Sequence, residues 1–419
     1  MWYFFNGLCR LGQASGAVAR QSGQGKTRHK GHRVDVSEDR LVSLFNVGTV
    51  RFGPGCAVSC ADDLAARGLA NAFLVTTPPT RRLCDPLLGA LAARGIAVTV
   101  WDSLAGEPTL DDFAAALAAA RAVKADCVIG LGGGSAMDVA KLVAALFDGR
   151  QQIAEVIGVN LLKGRTLPLA CIPTTAGTGS EVTPIAILGD EDEDLKKGTV
   201  SPFLVPDFAY LDAALTVSMP RAVTASTGID ALTHCIEAYA NKFAHPVVDS
   251  FAIAGIRLIA AHVERACTDG TDLAARAAML RASYYGGLCL GPVNTAAVHA
   301  LAYPLGGEFH IAHGVANSIL LPHVLRFNVS AAPTRYADIA GAMGITRSGN
   351  DLRDAEAGIE AIAELSERCG IPGGMSHFGI SANAVPHMAA AAMSVTRLLA
   401  NNPREVTEAD ARAIYEAAL

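Results

Sequence analysis

The sequence predicts a parallel-sheet α/β domain followed by an all-α domain. The chain has 419 residues, more than the roughly 250 that one hydrophobic core supports, so two domains are expected. Apolar runs typical of strands alternate with helical spacing up to Pro220, which is the pattern of a parallel sheet covered by helices on both faces. After Pro220 the strand signals fade and helical spacing continues. We therefore assign residues 44–220 to the α/β domain and residues 221–419 to the helical domain.

Hydrophobic periodicity gives the order of the elements. Residues 45–55, FNVGTVRFGPG, predict a short hairpin or strand pair. Further strands are predicted at residues 72–76, 97–101, 127–131 and 167–172, and helices at 57–67, 82–94, 110–124 and 135–147. In the second domain, helical spacing covers residues 226–240, 247–266, 273–285 and 294–303.

The first 43 residues differ from the rest of the chain. No acidic residue occurs from Met1 to Val34, whereas arginine and lysine accumulate among Ser, Gly and Gln. A segment of this composition has little apolar surface to bury. We predict a disordered basic extension, and a transit peptide is the alternative that the same composition allows.

Composition excludes several function classes. The net charge of −6 comes without a basic stripe, so no nucleic-acid partner is expected. Each long apolar run is interrupted by His, Arg or Asn before the roughly 18 residues of a membrane span, so no membrane is expected. The ten cysteines are scattered, and Cys56 and Cys60 lack CxxC spacing. A cytoplasmic protein with reduced, mostly buried thiols is the expectation.

A glycine-rich turn joins the strand at 127–131 to the helix at 135–147. Gly132, Gly133, Gly134 and Ser135 allow close approach of a phosphate to the backbone, and the helix N-terminus offers free N–H donors. The turn is neither a Walker loop nor the GxGxxG fingerprint. An anion cradle is the favoured interpretation, and a tight turn without a ligand is the alternative.

A second polar loop follows the strand that ends at Pro173. It carries the hydroxyl groups of Thr174, Thr175 and Thr178 among glycines. Ligands bind beyond the carboxyl ends of parallel strands, so two such loops together indicate a dinucleotide. A solvated loop is the alternative.

Four residues form a candidate metal site in the second domain. Asp230 and His234 are four residues apart in a helical segment, which places a carboxylate and an imidazole on one face. With His299 and His313 they make a mixed N/O set that suits Fe(II), Zn(II) or another divalent transition ion. Each histidine alone is more often a core or surface residue. We interpret Glu237, one turn beyond His234, as a plain helix charge in preference to a partner of a ligand.

The motifs GGGSAMDVAK, PTTAGTGSE, GIDALTHCIEAY and AVHALAYPLGGEFHIAHGVANSILLPHV together resemble the iron-containing (group III) alcohol dehydrogenases. The resemblance covers residues 44–419. It implies a dehydroquinate synthase-like architecture, in which a cleft separates a nucleotide-binding α/β domain from a helical metal domain. It also implies NAD or NADP as cofactor, Fe(II) as metal and a small alcohol or aldehyde as substrate. Metal ligation falls on Asp230, His234, His299 and His313.

The resemblance assigns the cofactor contacts as well. The contacts to the pyrophosphate and ribose fall on Gly132, Gly133, Gly134, Ser135 and Asp138. The contacts to the rest of the cofactor fall on Thr174, Thr175, Thr178 and Lys196. Where the family often has an acidic residue to bind the adenosine ribose, this chain has Thr77. Loss of that negative charge, with Arg81 or Arg82 nearby, opens the site to NADP.

A further departure concerns the proton relay. Many family members have a histidine four residues after the third ligand, and this chain has Tyr303 there. Tyr303 is one relay candidate, although its ordinary pKa near 10 is high for the task, and His310 is the other. His310 and His323 are also alternative ligands or neighbours of ligands. The YPLGGxFHxxHG variant resembles members that act on hydroxy acids such as 4-hydroxybutyrate.

Three other functions stay open. A lyase of the dehydroquinate synthase kind has a similar fold, but its metal site uses Glu with two histidines. A maleylacetate reductase-like enzyme is a closer alternative, although such members do not clearly share the DxxxH…H…H set. A nucleotide sensor without turnover is the non-enzymatic alternative. A homodimer is also an open alternative to a monomer.

Overall fold

The computed structural model describes residues 39–190 and 195–419, which belong to one compact unit. Most of the predicted basic extension, residues 1–38, lies outside the described residues.

Nine strands lie among the described residues up to Leu211. They are β1 Thr49–Phe52, β2 Asn71–Val75, β3 Ala97–Trp101, β4 Cys127–Gly132, β5 Gly158–Val159, β6 Leu169–Pro173, β7 Ile185–Asp190, β8 Leu195–Val200 and β9 Phe208–Leu211. Six of them form one sheet in the order β1-β9-β6-β4-β2-β3, and every pairing in that sheet is parallel. The other three form a small sheet in the order β5-β8-β7.

Helices cover both faces of the large sheet. Those of the first half are α1 Cys60–Ala66, α2 Asp85–Ala93, α3 Leu110–Ala122 and α4 Gly134–Leu146. Along β2, Phe73 and Val75 belong to one buried cluster, whereas Ala72 and Leu74 belong to the cluster on the opposite face. Because successive side chains of a strand point to opposite faces, both faces are apolar and buried. The predicted parallel α/β architecture is confirmed.

The predicted strands differ from the observed ones at the margins of the sheet. Residues 45–55 form no hairpin, because β1 is a single strand that pairs in parallel with β9, with Thr49 opposite Phe208. After Phe52 the chain turns at Gly53 and Gly55, both with positive φ, into helical turns. The antiparallel pair β7–β8 and strand β9 were not predicted.

The second half of the chain is helical within the described residues. Its helices are α5 Arg221–Tyr239, α6 Pro246–Thr268, α7 Leu273–Leu290, α8 Ala297–Gly307, α9 His313–Asn328, α10 Pro333–Ala342, α11 Asp351–Cys369, α12 Val385–Met393, α13 Thr396–Leu399 and α14 Glu408–Ala417. The predicted all-α half is confirmed. Helix α5 packs against α6, α7 and α9, so it is a central helix. Its buried polar residues, Asp230, His234 and Glu237, therefore need partners inside the protein.

Helix α6 is long and apolar. Among the described residues it alone reaches the length and mean hydropathy of a membrane span, with a mean hydropathy of 1.4, so the expectation that no run reaches this length was wrong. One face of α6, including Val248, Ile256 and Val263, is buried, and the helix packs against α5 and α7. One such helix is weak evidence for a membrane, because core helices of folded proteins have the same composition.

Candidate active site

Three adjacent strands end at one edge of the large sheet, and the loops that follow carry predicted nucleotide contacts. Strands β2, β4 and β6 are neighbours, and Gly132 lies opposite Pro173 in the register. Thr77, Gly133 and Thr174 follow these strands and so lie at the same edge. Open parallel sheets bind ligands at this edge.

The glycine turn packs tightly against the threonine loop. A Cβ atom at Gly133 would lie 3.5 Å from Thr175 Cγ2, and one at Gly134 would lie 2.9 Å from Thr178 Cγ2. Gly134 is also the first residue of α4. A side chain at Gly134 would therefore displace Thr178, whereas one at Gly133 would be in ordinary contact. Without a side chain at Gly134, the N-terminus of α4 stays open to an anion.

The threonine loop also contacts the helical half of the protein. A Cβ atom at Gly177 would lie 2.6 Å from Thr227 Cβ in α5, and one at Gly179 would lie 2.6 Å from Gly287 Cα in α7. Gly179 has a φ of 61°, in the left-handed region that favours glycine. Backbone contacts of this kind fix the loop relative to the helices that carry the candidate metal ligands.

The structure brings together the four predicted metal ligands. Asp230 and His234 lie one turn apart on α5, His299 is in α8, and His313 is the first residue of α9. The Nε2 atoms of His234, His299 and His313 lie 3.8, 3.6 and 3.9 Å from Asp230 Oδ1. In Asp230, His299 and His313, all ligand atoms lie within 4.8 Å of one another. His234 lies next to these three residues, with its Nε2 close to Asp230 Oδ1.

These distances fit a divalent ion. Ligand atoms about 2.1 Å from a tetrahedral metal lie about 3.4 Å from one another, close to the distances from Asp230 Oδ1. His299 Nε2 is buried and has no hydrogen-bond partner within the described residues. A cation in the gap between this nitrogen and the Asp230 carboxylate would stabilise both buried atoms. The donor set and its spacing therefore fit the predicted metal.

The charges of the site also favour a cation. Burial raises the pKa of Asp230, but the three histidines outweigh it and hold that pKa well below its usual range. Burial lowers the pKa of His299, but the carboxylates of Glu237 and Asp230 raise it to about 9. Burial is the main cause that lowers the pKa of His313 to about 3, despite the opposing charge of Asp230. Asp230 is thus ionised and His313 is a neutral ligand near pH 7.

Glu237 is a partner of the site, and its interpretation as a plain helix charge was wrong. Its side chain is buried, with Oε2 2.6 Å from His299 Nδ1 and Oε1 accepting a 2.6 Å hydrogen bond from Val298 N. A carboxylate on Nδ1 fixes the imidazole tautomer and turns the Nε2 lone pair toward the metal position.

Asn317 belongs to the site and was missed from the sequence. It is fully buried, and its Nδ2 donates to Asp230 Oδ1 at 2.7 Å and lies 3.2 Å from His313 Nε2. Its position four residues after His313 in α9 was the available signal, since residues so spaced share a helix face. Asn317 orients the carboxylate that the three histidines surround.

A cavity of about 260 Å³ joins the two halves of the site. Its wall includes Gly134 and Ser135 at the start of α4 and Asp230, His299 and His313 from the helical half. The other predicted residues that line it are Asp138, Thr178, Lys196, His234 and Tyr303. The start of α4 and the four candidate ligands therefore face one continuous space.

Known proteins share this architecture. The sequence profile described as iron-containing alcohol dehydrogenase matches residues 48–213, and the profile for the C-terminal part of the Fe-containing alcohol dehydrogenase family matches residues 224–419. The chain belongs to the iron-containing alcohol dehydrogenase family. It is an oxidoreductase and an alcohol dehydrogenase by that membership, as the motifs predicted.

Relatives of this iron-containing alcohol dehydrogenase match over nearly their whole length. The long-chain-alcohol dehydrogenase 1 of Geobacillus thermodenitrificans is 41% identical, over 87% of this chain and 94% of the relative. The sulfoacetaldehyde reductase of Bilophila wadsworthia is 35% identical, over 89% and 98%. A solved structure of a 1,3-propanediol oxidoreductase superposes with a TM-score of 0.88 at 35% identity, over 91% of this chain and 100% of that one.

In this iron-containing alcohol dehydrogenase, Asp138 is held by protein groups. Its Oδ1 accepts a 2.6 Å hydrogen bond from Ser180 Oγ, and its Oδ2 accepts one of 3.0 Å from Ile187 N. The buried Lys141, not singled out from the sequence, lies 3.8 Å from Asp138 and donates to Thr183 O and Oγ1. Asp138 therefore anchors the loop and β7 as well as lining the cavity.

The two relay candidates lie in different places. Tyr303 lines the cavity, with its ring 6.5 Å from the ring of His313. His310 is exposed, has a φ of 53° and is not among the residues that line the cavity. The geometry brings Tyr303 to the candidate ligands and leaves His310 outside.

Several predicted cofactor residues do not line the cavity. Thr77 Oγ1 contacts Thr80 Oγ1 at 2.8 Å, and Thr174 is buried with an unpartnered Oγ1. Neither lines the cavity, and the same holds for Gly132, Gly133 and Thr175. Lys196 lines it, and its Nζ lies 2.9 Å from Glu107 Oε1.

Proposed function

We propose that the chain interconverts an alcohol and an aldehyde or ketone by hydride transfer with NAD, at a divalent ion held by Asp230, His234, His299 and His313. Fe(II) is the proposed metal and Zn(II) the alternative. One observation carries the proposal. Three imidazole Nε2 atoms lie within 3.9 Å of a buried carboxylate oxygen, in a cavity whose opposite wall is the N-terminus of α4.

Each part of the cavity has a task in this reaction. When bound, the divalent ion supplies Lewis acidity toward the substrate oxygen, and the nicotinamide supplies or accepts the hydride. Gly134 and Ser135 offer backbone N–H groups to the nucleotide phosphates. Glu237 and Asn317 hold His299 and Asp230 in place.

Tyr303 is the proposed proton donor and acceptor for the substrate oxygen. Burial is the main cause that raises the pKa of this phenol, so the hydroxyl stays protonated near neutral pH. No hydrogen bond within the described residues involves it, which leaves it available to a substrate. In the reductive direction the hydroxyl donates to the oxygen that becomes the alcohol.

NAD is the proposed cofactor, with NADP as the alternative. Thr77, at the end of β2, is uncharged, but Arg81 nearby already pairs with Asp85 at 3.2 Å and lies 3.6 Å from Asp102. These two carboxylates offset the charge of Arg81, one of the two arginines that would attract a 2′-phosphate. A structural neighbour, the sulfoacetaldehyde reductase of Bifidobacterium kashiwanohense, was solved in complex with NAD+.

The proposed substrate class is a hydroxy acid such as 4-hydroxybutyrate and its aldehyde. The variant motif around Tyr303 is one support. A second is that a relative is named for an aldehyde that carries an anionic sulfonate. The reducing cytoplasm is the proposed compartment, because the nine cysteines of the described residues are all free.

The test is a steady-state substrate panel. The protein is reconstituted with Fe(II) or Zn(II) and assayed with NAD and NADP on alcohols, diols and hydroxy acids by absorbance at the reduced nicotinamide band. We expect turnover with Fe(II) and NAD. Absence of a redox change with every metal, cofactor and alcohol class would reject the proposal and favour a nucleotide sensor.

A further inference from the structure

Arg397 lies where the active-site cavity meets a second cavity of about 580 Å³. The two cavities share four wall residues, Ile187, Lys196, Tyr303 and Arg397. The second cavity therefore adjoins the site at the end that holds Tyr303. A substrate whose oxygen reaches the metal ligands extends its other end toward this junction.

Among the described residues, no carboxylate forms an ion pair with Arg397. Of the lysine and arginine side chains that line the two cavities, Lys196 pairs with Glu107 and Lys197 pairs with Asp190. Arg397 forms no ion pair with any residue of the described part of the chain. Arg397 is exposed, and it lines both cavities.

The wall of the active-site cavity is partly apolar. Leu290 and Leu398 line the active-site cavity, and both are buried. A polar end at His299, an apolar wall and a cation at the junction match a short aliphatic chain with an oxygen at one end and an anion at the other.

We propose that Arg397 binds an anionic group, a carboxylate or a sulfonate, at the end of the substrate remote from the reacting carbon. The planar guanidinium pairs with such groups through two parallel hydrogen bonds. Arg397 is then the residue that selects anion-tailed alcohols and aldehydes over neutral ones. The inference rests on the proposed function, because it concerns the substrate of the same site.

The experiment compares 4-hydroxybutyrate with its neutral isostere 4-hydroxybutanamide, and both with acids and amides of three to six carbons. The proteins are the metal-reconstituted wild type, Arg397→Gln, Arg397→Lys and, as a matched control, Arg412→Gln, an exposed arginine paired with Glu408 outside the cavity. We expect the wild type to prefer the acid at its best chain length. Arg397→Gln is expected to lower kcat/KM for the acid about 10- to 100-fold, with little change for the amide.

Further measurements distinguish the two kinds of anionic group, a carboxylate and a sulfonate. 3-Hydroxypropane-1-sulfonate distinguishes a sulfonate preference from a carboxylate preference, and Arg397→Lys, which keeps the charge, is expected to recover part of the acid activity. KM for NAD and NADP is measured for every variant. A rise in cofactor KM with an unchanged acid-to-amide ratio assigns Arg397 to the cofactor phosphates and overturns the inference.

Two more outcomes overturn it. An equal fall for acid and amide in Arg397→Gln shows a structural role, and a wild type that oxidises the amide as well as the acid shows no selection for an anion. In both, turnover of neutral alcohols leaves the proposed function standing. Loss of turnover for every alcohol in the wild type rejects the proposed function itself, and this inference with it.

Discussion

Glu237 Oε2 lies 2.6 Å from Nδ1 of His299, in a region where both side chains are buried. The other carboxylate oxygen of Glu237 accepts from Val298 N, so the backbone at the start of α8 and the imidazole are held by one group. This contact between α5 and α8 decides which nitrogen of His299 is available to a metal.

Substitution of Glu237 by Gln tests that role. Loss of the carboxylate charge makes His299 a weaker ligand, and we expect the metal affinity to fall about 10- to 100-fold. The measurement is a competitive chelator titration with Zn²⁺ or Co²⁺, with circular dichroism to verify the fold. Glu360→Gln, an exposed glutamate that pairs with Arg326, is the control. Equal metal affinity in both variants would contradict the role.

Removal of a ligand should separate metal from cofactor binding. His299→Ala is expected to lose metal and activity and to keep NADH binding, because the α4 turn is formed by other residues. Metal content is measured by mass spectrometry and NADH binding by fluorescence. His323→Ala, in α9 away from the cavity wall, should retain both. Normal turnover in a verified metal-free His299→Ala protein rejects the proposed chemistry.

Gly134→Ala tests the steric origin of the glycine turn. The new Cβ would lie 2.9 Å from Thr178 Cγ2, so the threonine loop must move, and we expect KM for NAD to rise about 10-fold, the size of a change of about 1.4 kcal/mol. Thr178→Ser removes that methyl group and should restore part of the affinity in the double variant. Gly89→Ala, where nothing lies within 4 Å of the added Cβ, should stabilise α2 by about 0.5–1 kcal/mol without changing KM. An unchanged KM for NAD in Gly134→Ala would contradict the binding of the cofactor at the glycine turn.

Tyr303→Phe tests the proton relay. The variant keeps the ring against His313 and loses the hydroxyl, so kcat is expected to fall about 100-fold while KM for NAD stays constant. Stopped-flow measurement of NADH formation separates the chemical step from product release. His310→Ala serves as the comparison, and a larger fall there than in Tyr303→Phe would transfer the relay to His310.

Glu181 gives the protein a pH-dependent stability. Burial raises the pKa of this carboxyl to about 7, above the ordinary value near 4.3 that it has in the unfolded chain. The folded protein therefore keeps a proton that the unfolded chain loses, so the stability contribution is largest below about pH 4 and declines as the pH rises toward 7. Glu181→Gln cannot ionise, and its stability relative to wild type should increase between pH 5 and pH 8 by on the order of 3 kcal/mol.

Urea denaturation at both pH values measures this difference, with Glu360→Gln as the exposed control. Parallel stability curves for wild type and Glu181→Gln would show that the buried carboxyl does not titrate in this range. The pH dependence concerns folding, because Glu181 is not among the residues that line the cavity.

The sequence by itself determined the elements that depend on local spacing. Continuous apolar runs gave the central strands, and the 3.6-residue period gave the helices. The glycine turn after β4 followed from its place between strand and helix. Asp230 and His234 were predicted as partners because four residues bring two side chains to one helix face. Tyr303 came instead from the family resemblance, as the residue at the place where many members have a histidine.

Only the tertiary structure decided the contacts between segments that are remote in the chain. Strand β1 pairs with β9 about 160 residues later, Glu237 meets His299 across 62 residues, and Asn317 meets Asp230 across 87. A charged residue on a helix has the same local pattern whether its face meets water or another helix. Burial, which the packing of whole helices sets, gives Glu237 a partner in the site and leaves Arg397 exposed at the junction of two cavities.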